Sequence, residues 1–355
     1  MLGISVYIGQ QSLEDQWQYL KEMKEAGFTS VFTSLHIPED DHSLYSGLLK
    51  ELAVQTRKLD MELMADLSPA SLKALGIDLG DIQSLAEWGL TGVRIDYGLK
   101  SEIIVELSKK MKVALNASTL DPVFLQRLKW MGLNKEHIEA WHNFYPRPET
   151  GLDRDYFIEK NKWLKSAGLT VMAFIPGDVL RGPLYKRLPT LEEHRDASSF
   201  YAYLDLMDCY VDKIVIGDRG LFESSLQQFK GKREGSIPLR CSILTQDAAS
   251  KKMILQVHKS RMDPSRDVVR SETSRMYAMP GQQIIRENTV VRQRGSITLD
   301  NDHYGRYSGE LQLAKKDLPA DPKVNVVGHI LDEDLGLLEK IGPGCSFSLV
   351  PSKRH

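Results

Sequence analysis

Residues 167–175 read Ala-Gly-Leu-Thr-Val-Met-Ala-Phe-Ile, and the pattern of this short stretch decides the fold. A helical pattern ends at Ala167, Gly168 follows, and Leu169 leads into an apolar run. Glycine adopts the left-handed conformation that ends a helix, and the apolar residue after it packs back on the last turn. The same junction occurs at Ala26-Gly27-Phe28, Trp88-Gly89-Leu90 and Met131-Gly132-Leu133. Repeated helix–glycine–strand junctions predict αβ units and a mainly parallel sheet.

Eight strand-like segments surround these junctions. They lie at residues 2–8, 30–35, 61–66, 92–96, 112–117, 137–144, 170–175 and 213–217. Eight βα units in about 230 residues predict an α/β fold of the (β/α)8 TIM-barrel type. A doubly wound sheet is the alternative, but it usually has a glycine-rich phosphate loop after its first strand, and Gly9-Gln-Gln-Ser12 is not such a loop.

The pattern changes near residues 231–235, where helical periodicity fades. Short β-like runs follow, separated by Gly, Pro, Asn and Asp, at 289–292, 296–299, 310–313, 324–327 and 346–349. They predict a compact β domain of about 120 residues, in the form of a barrel. We therefore predict a TIM-barrel catalytic domain at 1–233 and a C-terminal β-barrel domain at 234–355.

Composition excludes several classes of function. The 355 residues carry 46 basic and 48 acidic side chains, so no overall positive field attracts nucleic acid or an anionic membrane. Three scattered cysteines form neither a disulfide framework nor a CxxC site, and they fit a reducing compartment. No apolar run reaches the roughly 18 residues of a membrane span, and the N-terminus has the pattern of a strand instead of a signal peptide. We expect a cytoplasmic protein without nucleic-acid or membrane partners.

Polar residues close the predicted strands, and in a (β/α)8 barrel these positions meet at one mouth. They are Tyr7, His36, Asp66, Asp96, Asn116, His142, Asn143, Tyr145, Asp178 and Asp218. Each alone could be an N-cap or a solvated loop residue. As a set they favour a polar catalytic pocket.

Strand alternation separates the lumen of the barrel from its mouth. Glu62 and Asp66 on the third strand, and Arg94 and Asp96 on the fourth, should all face inward. We expect Glu62 and Arg94 to form a structural ion pair deep in the lumen. Asp66 and Asp96 lie nearer the rim and should reach a ligand.

The most unusual segment is Trp141-His-Asn-Phe-Tyr-Pro-Arg-Pro-Glu-Thr-Gly-Leu152, which follows the sixth strand. Trp141 or Tyr145 is suited to stack on a sugar, and Arg147 to hold a phosphate or carboxylate. A well-packed loop is the alternative.

The loop at 181–195 adds further cations and is interpreted as a lid or an anion clamp, or simply as a solvated loop.

Other chemistries have little support. The histidines lack HExxH or HxH spacing, and neither a GxSxG elbow nor a P-loop occurs, so we expect no metal. A barrel followed by a β domain also describes alanine racemases, but a Schiff base needs a lysine after the first strand, and Tyr7-Ile-Gly-Gln10 has none. No cofactor is therefore expected.

Ten stretches have a distinctive sequence, at residues 32–39, 94–98, 115–118, 141–151, 182–185, 188–192, 216–218, 300–307, 309–312 and 325–328. In these stretches the chain resembles the bacterial 6-phospho-N-acetylmuramidases, and the resemblance spans nearly the whole chain. Lys186-Arg187 departs from the smaller or acidic residues expected there. The resemblance implies a TIM barrel with a C-terminal cyclophilin-like β-barrel, and a cytoplasmic enzyme of peptidoglycan recycling. The implied reaction is hydrolysis of the β-1,4 bond between N-acetylmuramic acid 6-phosphate and N-acetylglucosamine (MurNAc-6-phosphate–GlcNAc).

Glycoside hydrolysis needs a carboxylic acid to protonate the leaving oxygen and a second group to support the cationic centre. We predict Asp96 and Asp66 for these roles, with Asp218 in reserve and Glu149 and Asp178 as further carboxyl candidates. The N-acetyl group of the substrate could itself be the nucleophile, with an aspartate only orienting it.

The disaccharide carries a phosphate and a lactyl carboxylate, so the pocket should be cationic. The candidates are Arg147 and Arg181 from the barrel, and Arg275 and Arg306 if the second domain overhangs the mouth. The second domain could instead serve stability or dimerisation, giving a homodimer. Asn116, His142, Asn143 and Tyr145 would position the acetyl group or the ring hydroxyls. Two other functions stay open: another phosphosugar enzyme, such as an isomerase or lyase, and a non-catalytic phosphoglycan-binding protein.

Overall fold

A computed structural model of the protein describes residues 1–10, 12–35, 45–75, 77, 82, 84–95, 98–277 and 283–352. The chain divides into two compact units, Met1–Phe222 and Glu223–His355, and each is described by itself. The predicted domain boundary at 233/234 would assign one more helix, Glu223–Arg233, to the barrel. This boundary stays a prediction. None of the described helices has the length and apolar character that crossing a membrane requires.

The first unit is a closed barrel of eight parallel strands, in which β8 pairs with β1, and this confirms the predicted TIM barrel. The strands are β1 (Leu2–Ser5), β2 (Ser30–Thr33), β3 (Glu62–Leu67), β4 (Gly92–Ile95), β5 (Lys112–Asn116), β6 (Ile138–Trp141), β7 (Thr170–Ile175) and β8 (Lys213–Ile216). The helices are α1 (Leu13–Glu25), α2 (Tyr45–Lys58), α3 (Pro69–Ala74), α4 (Ser84–Trp88), α5 (Ser101–Ser108), α6 (Pro122–Trp130), α7 (Arg154–Ser166) and α8 (Ser199–Met207). Two short 3₁₀ helices lie at Lys135–His137 and Glu192–His194.

The glycine junctions adopt the predicted geometry. Gly168 follows α7 with a φ of 76°, and the Leu169 N–H donates to the Leu164 carbonyl at 3.1 Å. This six-residue bond is the one that ends a helix in a Schellman motif. The glycines at 27, 89 and 132 also have positive φ, and the residue after each makes the equivalent bond. The prediction of helix ends at these four points is confirmed.

The bottom layer of the barrel lumen is ionic. Lys213 of β8 is almost fully buried, and its ammonium group lies 2.6 Å from a Glu62 oxygen and 2.8 Å from a Glu139 oxygen. Lys112 of β5 lies 2.5 Å from the other Glu62 oxygen. The predicted ion pair between Glu62 and Arg94 is therefore wrong, because the partners of Glu62 come from β5 and β8.

The middle layer of the lumen is apolar. It consists of Phe32, Met64, Ala114, Trp141, Met172, Phe174 and Val215. Trp141 is completely buried, and its indole N–H donates to Glu139 in the ionic layer at 2.7 Å. Trp141 thus belongs to the core of the barrel, contrary to the prediction that it stacks on a sugar.

The second unit contains a seven-stranded sheet in the order β10-β15-β9-β14-β12-β13-β11, so the predicted smaller β domain is confirmed. Its strands are β9 (Ser236–Ile243), β10 (Val257–Lys259), β11 (Val268–Arg270), β12 (Ser296–Asp300), β13 (Leu311–Ala314), β14 (Val324–Ile330) and β15 (Ser346–Pro351). Its helices are α9 (Glu223–Arg233), α10 (Ala248–Ile254) and α11 (Ser274–Tyr277), with 3₁₀ helices at Asp302–Tyr307 and Asp332–Lys340. The run predicted at 289–292 contributes only an isolated bridge between Arg292 and Leu318.

Candidate active site

A cavity of about 260 Å³ opens at the ends of the barrel strands, above the apolar layer. It is lined by Phe32, Ser34, Asp66, Arg94, Asn143, Phe144, Phe174 and Arg181. These residues lie at or beyond the carboxyl ends of β2, β3, β4, β6 and β7. This is the end of a TIM barrel at which catalytic groups are found.

Three polar side chains form a network on one wall of the cavity. Arg94 donates from Nη1 to Asp66 Oδ1 at 2.6 Å and from Nη2 to Asn143 Oδ1 at 2.5 Å. Asp66 and Arg94 are 6% exposed, and they are direct partners in the register of β3 and β4. One guanidinium group therefore fixes the positions of a carboxylate and an amide.

Aromatic rings form another part of the lining. The ring of Phe174 lies 5.0 Å from that of Phe144 and 5.4 Å from that of Phe32, in edge-to-face geometry. A few converging polar groups beside an apolar wall are typical of a small-molecule site. Such a wall suits the C–H face of a sugar ring.

Arg181 completes the cavity from the loop after β7. Its guanidinium carbon lies 4.1 Å from the centre of the Tyr7 ring. Tyr7 is buried, its hydroxyl donates to the Gly217 carbonyl, and burial raises the pKa of its phenol. Tyr7 thus supports Arg181 through this stacking contact and is not itself among the described lining residues.

Asp218 lies behind the same loop and is fully buried. Its carboxylate accepts backbone N–H groups of Gly177 (2.9 Å), Leu188 (3.0 Å) and Arg181 (3.3 Å). Burial raises the pKa of Asp218, although these three donors act in the opposite direction. The residue predicted as a reserve catalyst is thus positioned to shape the loop that carries Arg181.

Glu192 and Arg195 join the loop after β6 to the loop after β7, and no sequence argument singled out Arg195. Arg195 pairs with Glu192 at 2.5 Å and donates to the Tyr145 carbonyl at 3.0 Å. Glu192 accepts the backbone N–H groups of Glu149 (2.8 Å) and Gly151 (2.6 Å). The Arg195 guanidinium, helped by these N–H groups, lowers the pKa of Glu192 to about 2. The sequence signals for this link between the two loops are the motif at 188–192 and the cation-rich loop at 181–195.

Other predicted site residues lie in the barrel but do not line the cavity. Asn116 accepts the Ser118 N–H in a local turn at 2.9 Å, and Asp178 accepts the Phe222 N–H at 2.9 Å. Tyr145 is half-buried, and burial raises the pKa of its phenol. The remaining two, Arg147 and Glu149, are exposed.

The second unit holds Arg306, which is exposed and donates to the Tyr307 hydroxyl at 2.9 Å. His36, Asp96 and the side chain of Arg275 lie outside the described part of the chain. Their predicted roles stay predictions.

His142 faces away from the cavity, in contrast to Asn143 beside it. It is completely buried, its ring packs 4.6 Å from that of Phe157 on α7, and Nε2 donates to Asn161 Oδ1 at 2.7 Å. Burial lowers the pKa of His142 to about 4. The structure therefore does not support its predicted contact with substrate and gives it a packing role.

The burial of neutral His142 has a consequence for stability at acid pH. Because the folded-state pKa of about 4 lies below the usual histidine value of about 6.5, the unfolded chain binds the proton first. We expect His142 to cost about 2 kcal/mol of unfolding free energy between pH 7 and pH 5. Urea unfolding at both pH values should show a smaller loss for His142→Gln than for the wild type. Equal losses in the two proteins would contradict this role.

One group of potential metal ligands occurs among the described residues, formed by Glu193, His194 and Asp205. Arg154 forms ion pairs with both carboxylates, and His194 Nε2 lies 2.8 Å from Asp205. The guanidinium already neutralises these oxygens, so the group fits an ion-pair network better than a metal site.

Comparisons with known proteins identify a single family. Two family models match the chain: "6-phospho-N-acetylmuramidase, N-terminal" over residues 2–231, and "6-phospho-N-acetylmuramidase, C-terminal" over residues 237–350. A conserved protein of unknown function from Enterococcus faecalis has a similar structure, with a TM-score of 0.90, 40% identity, and coverage of 99% of this chain and 96% of that one. An uncharacterised B. cereus protein gives a TM-score of 0.74, 28% identity, and coverage of 98% and 99%. Among curated proteins, nothing matches.

Proposed function

Because the chain belongs to the 6-phospho-N-acetylmuramidase family, we propose that it hydrolyses the β-1,4 bond of MurNAc-6-phosphate–GlcNAc to MurNAc 6-phosphate and GlcNAc. The observation that carries this proposal is the network of Asp66, Arg94 and Asn143 in the cavity at the barrel mouth. It offers a carboxylate and an amide at fixed positions beside an aromatic wall.

Asp66 is suited to bind the substrate, since its ion pair with Arg94 holds the carboxyl group at a fixed position in the cavity. We propose that the Asp66 carboxylate accepts a hydrogen bond from the N–H of the substrate acetamido group. The acetamido oxygen then attacks the anomeric carbon as the glycosidic C–O bond breaks, and a carboxylic acid protonates the departing GlcNAc oxygen. Water opens the resulting cyclic intermediate and returns a proton to the acid. We assign the acid role to Asp96, which directly follows β4 in the sequence.

The substrate class can be tested with two disaccharides that differ in one group. We expect the wild-type protein to release GlcNAc from MurNAc-6-phosphate–GlcNAc with a kcat/KM about 100-fold above that for MurNAc–GlcNAc, because charge-assisted contacts to a phosphate contribute strongly. Mass spectrometry of the products at several times gives both rates. Equal cleavage of the two compounds would contradict recognition of the phosphate. Binding without any product would instead favour a phosphoglycan-binding protein.

We further propose that the reaction belongs to peptidoglycan recycling in the cytoplasm. The three cysteines support this location, since no disulfide joins them in the described residues, and Cys209 and Cys241 are buried. A reducing compartment keeps such thiols from forming disulfides. A homodimer formed through the second unit stays a prediction.

A further inference from the structure

We infer that Arg181 is the oxyanion-binding residue of the cavity, contacting a phosphoryl or carboxylate group of a sugar ligand. This inference rests on the proposed function, because it names the residue that binds the phosphate or the carboxylate of the same substrate. The two arginines that line the cavity differ in a way that supports it.

Arg94 already has partners, since it pairs with Asp66 and donates to Asn143. No ion pair joins Arg181 to a carboxylate in the part of the chain that the structure describes. Its Nε atom is buried and has no hydrogen-bond partner among those same residues. Among the described lining residues the one carboxylate, Asp66, is paired with Arg94, so Arg181 is the cation of that lining that has no carboxylate partner. A buried donor and an uncompensated cation at a ligand cavity call for an anion.

Arg181 is also held in place before any ligand arrives. Its guanidinium group stacks on the Tyr7 ring at 4.1 Å, and its backbone N–H is bound to Asp218. A cation over an aromatic face is attracted to it and loses freedom of movement. A planar guanidinium group that is fixed in this way loses little entropy when it binds two oxygens of a phosphate or carboxylate.

Titration calorimetry with two monosaccharides tests this inference without requiring turnover. GlcNAc 6-phosphate carries the phosphoryl group alone, and MurNAc carries the lactyl carboxylate alone. We expect Arg181→Met to bind one or both of them about 10- to 100-fold more weakly than the wild type. Arg181→Lys should fall between the two proteins, since it keeps the charge but loses the two-pronged geometry. Lys186→Gln is the matched control, because it removes an exposed cation from the same loop and should bind like the wild type.

The pattern of losses identifies the oxyanion. A loss confined to GlcNAc 6-phosphate assigns Arg181 to the phosphoryl group, and a loss confined to MurNAc assigns it to the carboxylate. Unchanged affinity of Arg181→Met and Arg181→Lys for both sugars would overturn the inference, as would a wild type that binds neither. Thermal unfolding of each variant shows that the fold is kept, and if Arg181→Met does not fold, Arg181→Lys decides. Neither sugar contains the scissile bond, so these results are independent of whether the disaccharide is hydrolysed.

Discussion

Asp66→Asn is expected to lower kcat on MurNAc-6-phosphate–GlcNAc by about 10³-fold, with the barrel still folded. The asparagine oxygen can still accept from Arg94, so the network of the cavity wall is largely kept. What is lost is the negative charge that supports the cationic reaction centre and orients the acetamido group. The measurement is a steady-state assay of GlcNAc release, together with circular dichroism of the variant.

Asp155→Asn is the matched control, because Asp155 is exposed on α7 and should keep wild-type turnover. The roles of Asp66 and Asp96 can be separated by a substrate whose leaving group needs no proton, such as the 4-nitrophenyl glycoside of MurNAc 6-phosphate. Asp96→Asn should recover much of its activity on this substrate, since only the acid step is bypassed. Asp66→Asn should not recover. Near-normal kcat in Asp66→Asn would exclude the assigned role.

Sequence reasoning succeeded where the signal is local. The helix ends at glycines 27, 89, 132 and 168 depend on a few adjacent residues, and all four have the expected geometry. In the second unit, β9 is not among the predicted runs, and it contains Pro238, a residue uncommon inside a paired strand. Pairing with β14 begins only at Cys241, so the missing N–H of Pro238 faces no partner in that ladder. The strands β10 and β11 have three residues each and leave little periodicity to detect.

The active site shows which features cannot be predicted from the alternation of inward and outward residues along a strand. Alternation correctly put Asp66 and Arg94 on the inner face, but depth in the barrel depends on the register between strands. Gly92 at the start of β4 lies opposite Met64 of β3, so Arg94 is level with Asp66 and too high for Glu62. No single segment contains this stagger, which is a property of the closed barrel. Alternation also separates His142 from Asn143: both lie just beyond the end of β6, and their side chains still point to opposite sides, as they would in a strand.

Lys213→Met is expected to destabilise the first unit by about 3–5 kcal/mol, the largest effect on folding that the structure indicates. Lys213 is 1% exposed and is bound by the carboxylates of Glu62 and Glu139. Without it, two buried carboxylates remain, and Lys112 is the one other cation of the described chain within ion-pair distance of them. The free energy of unfolding from urea titrations followed by circular dichroism measures the effect.

The pH dependence of this loss distinguishes lost charge compensation from lost packing. Burial pushes the pKa of Glu62 upward, but the charges and hydrogen bonds of Lys213 and Lys112 outweigh it and leave the pKa below its usual value. In the wild type this stabilisation is present at neutral pH and is lost as the pH falls through the acid range. In Lys213→Met the two carboxylates lack this compensation, so protonation removes the cost of their buried charges. The difference in the free energy of unfolding between the variant and the wild type should therefore shrink as the pH falls from 7 to 4. Lys109→Met, which breaks an exposed pair with Glu106, should leave the free energy of unfolding close to that of the wild type. A loss in Lys213→Met that stays constant with pH would show that packing, and not charge, holds this layer together.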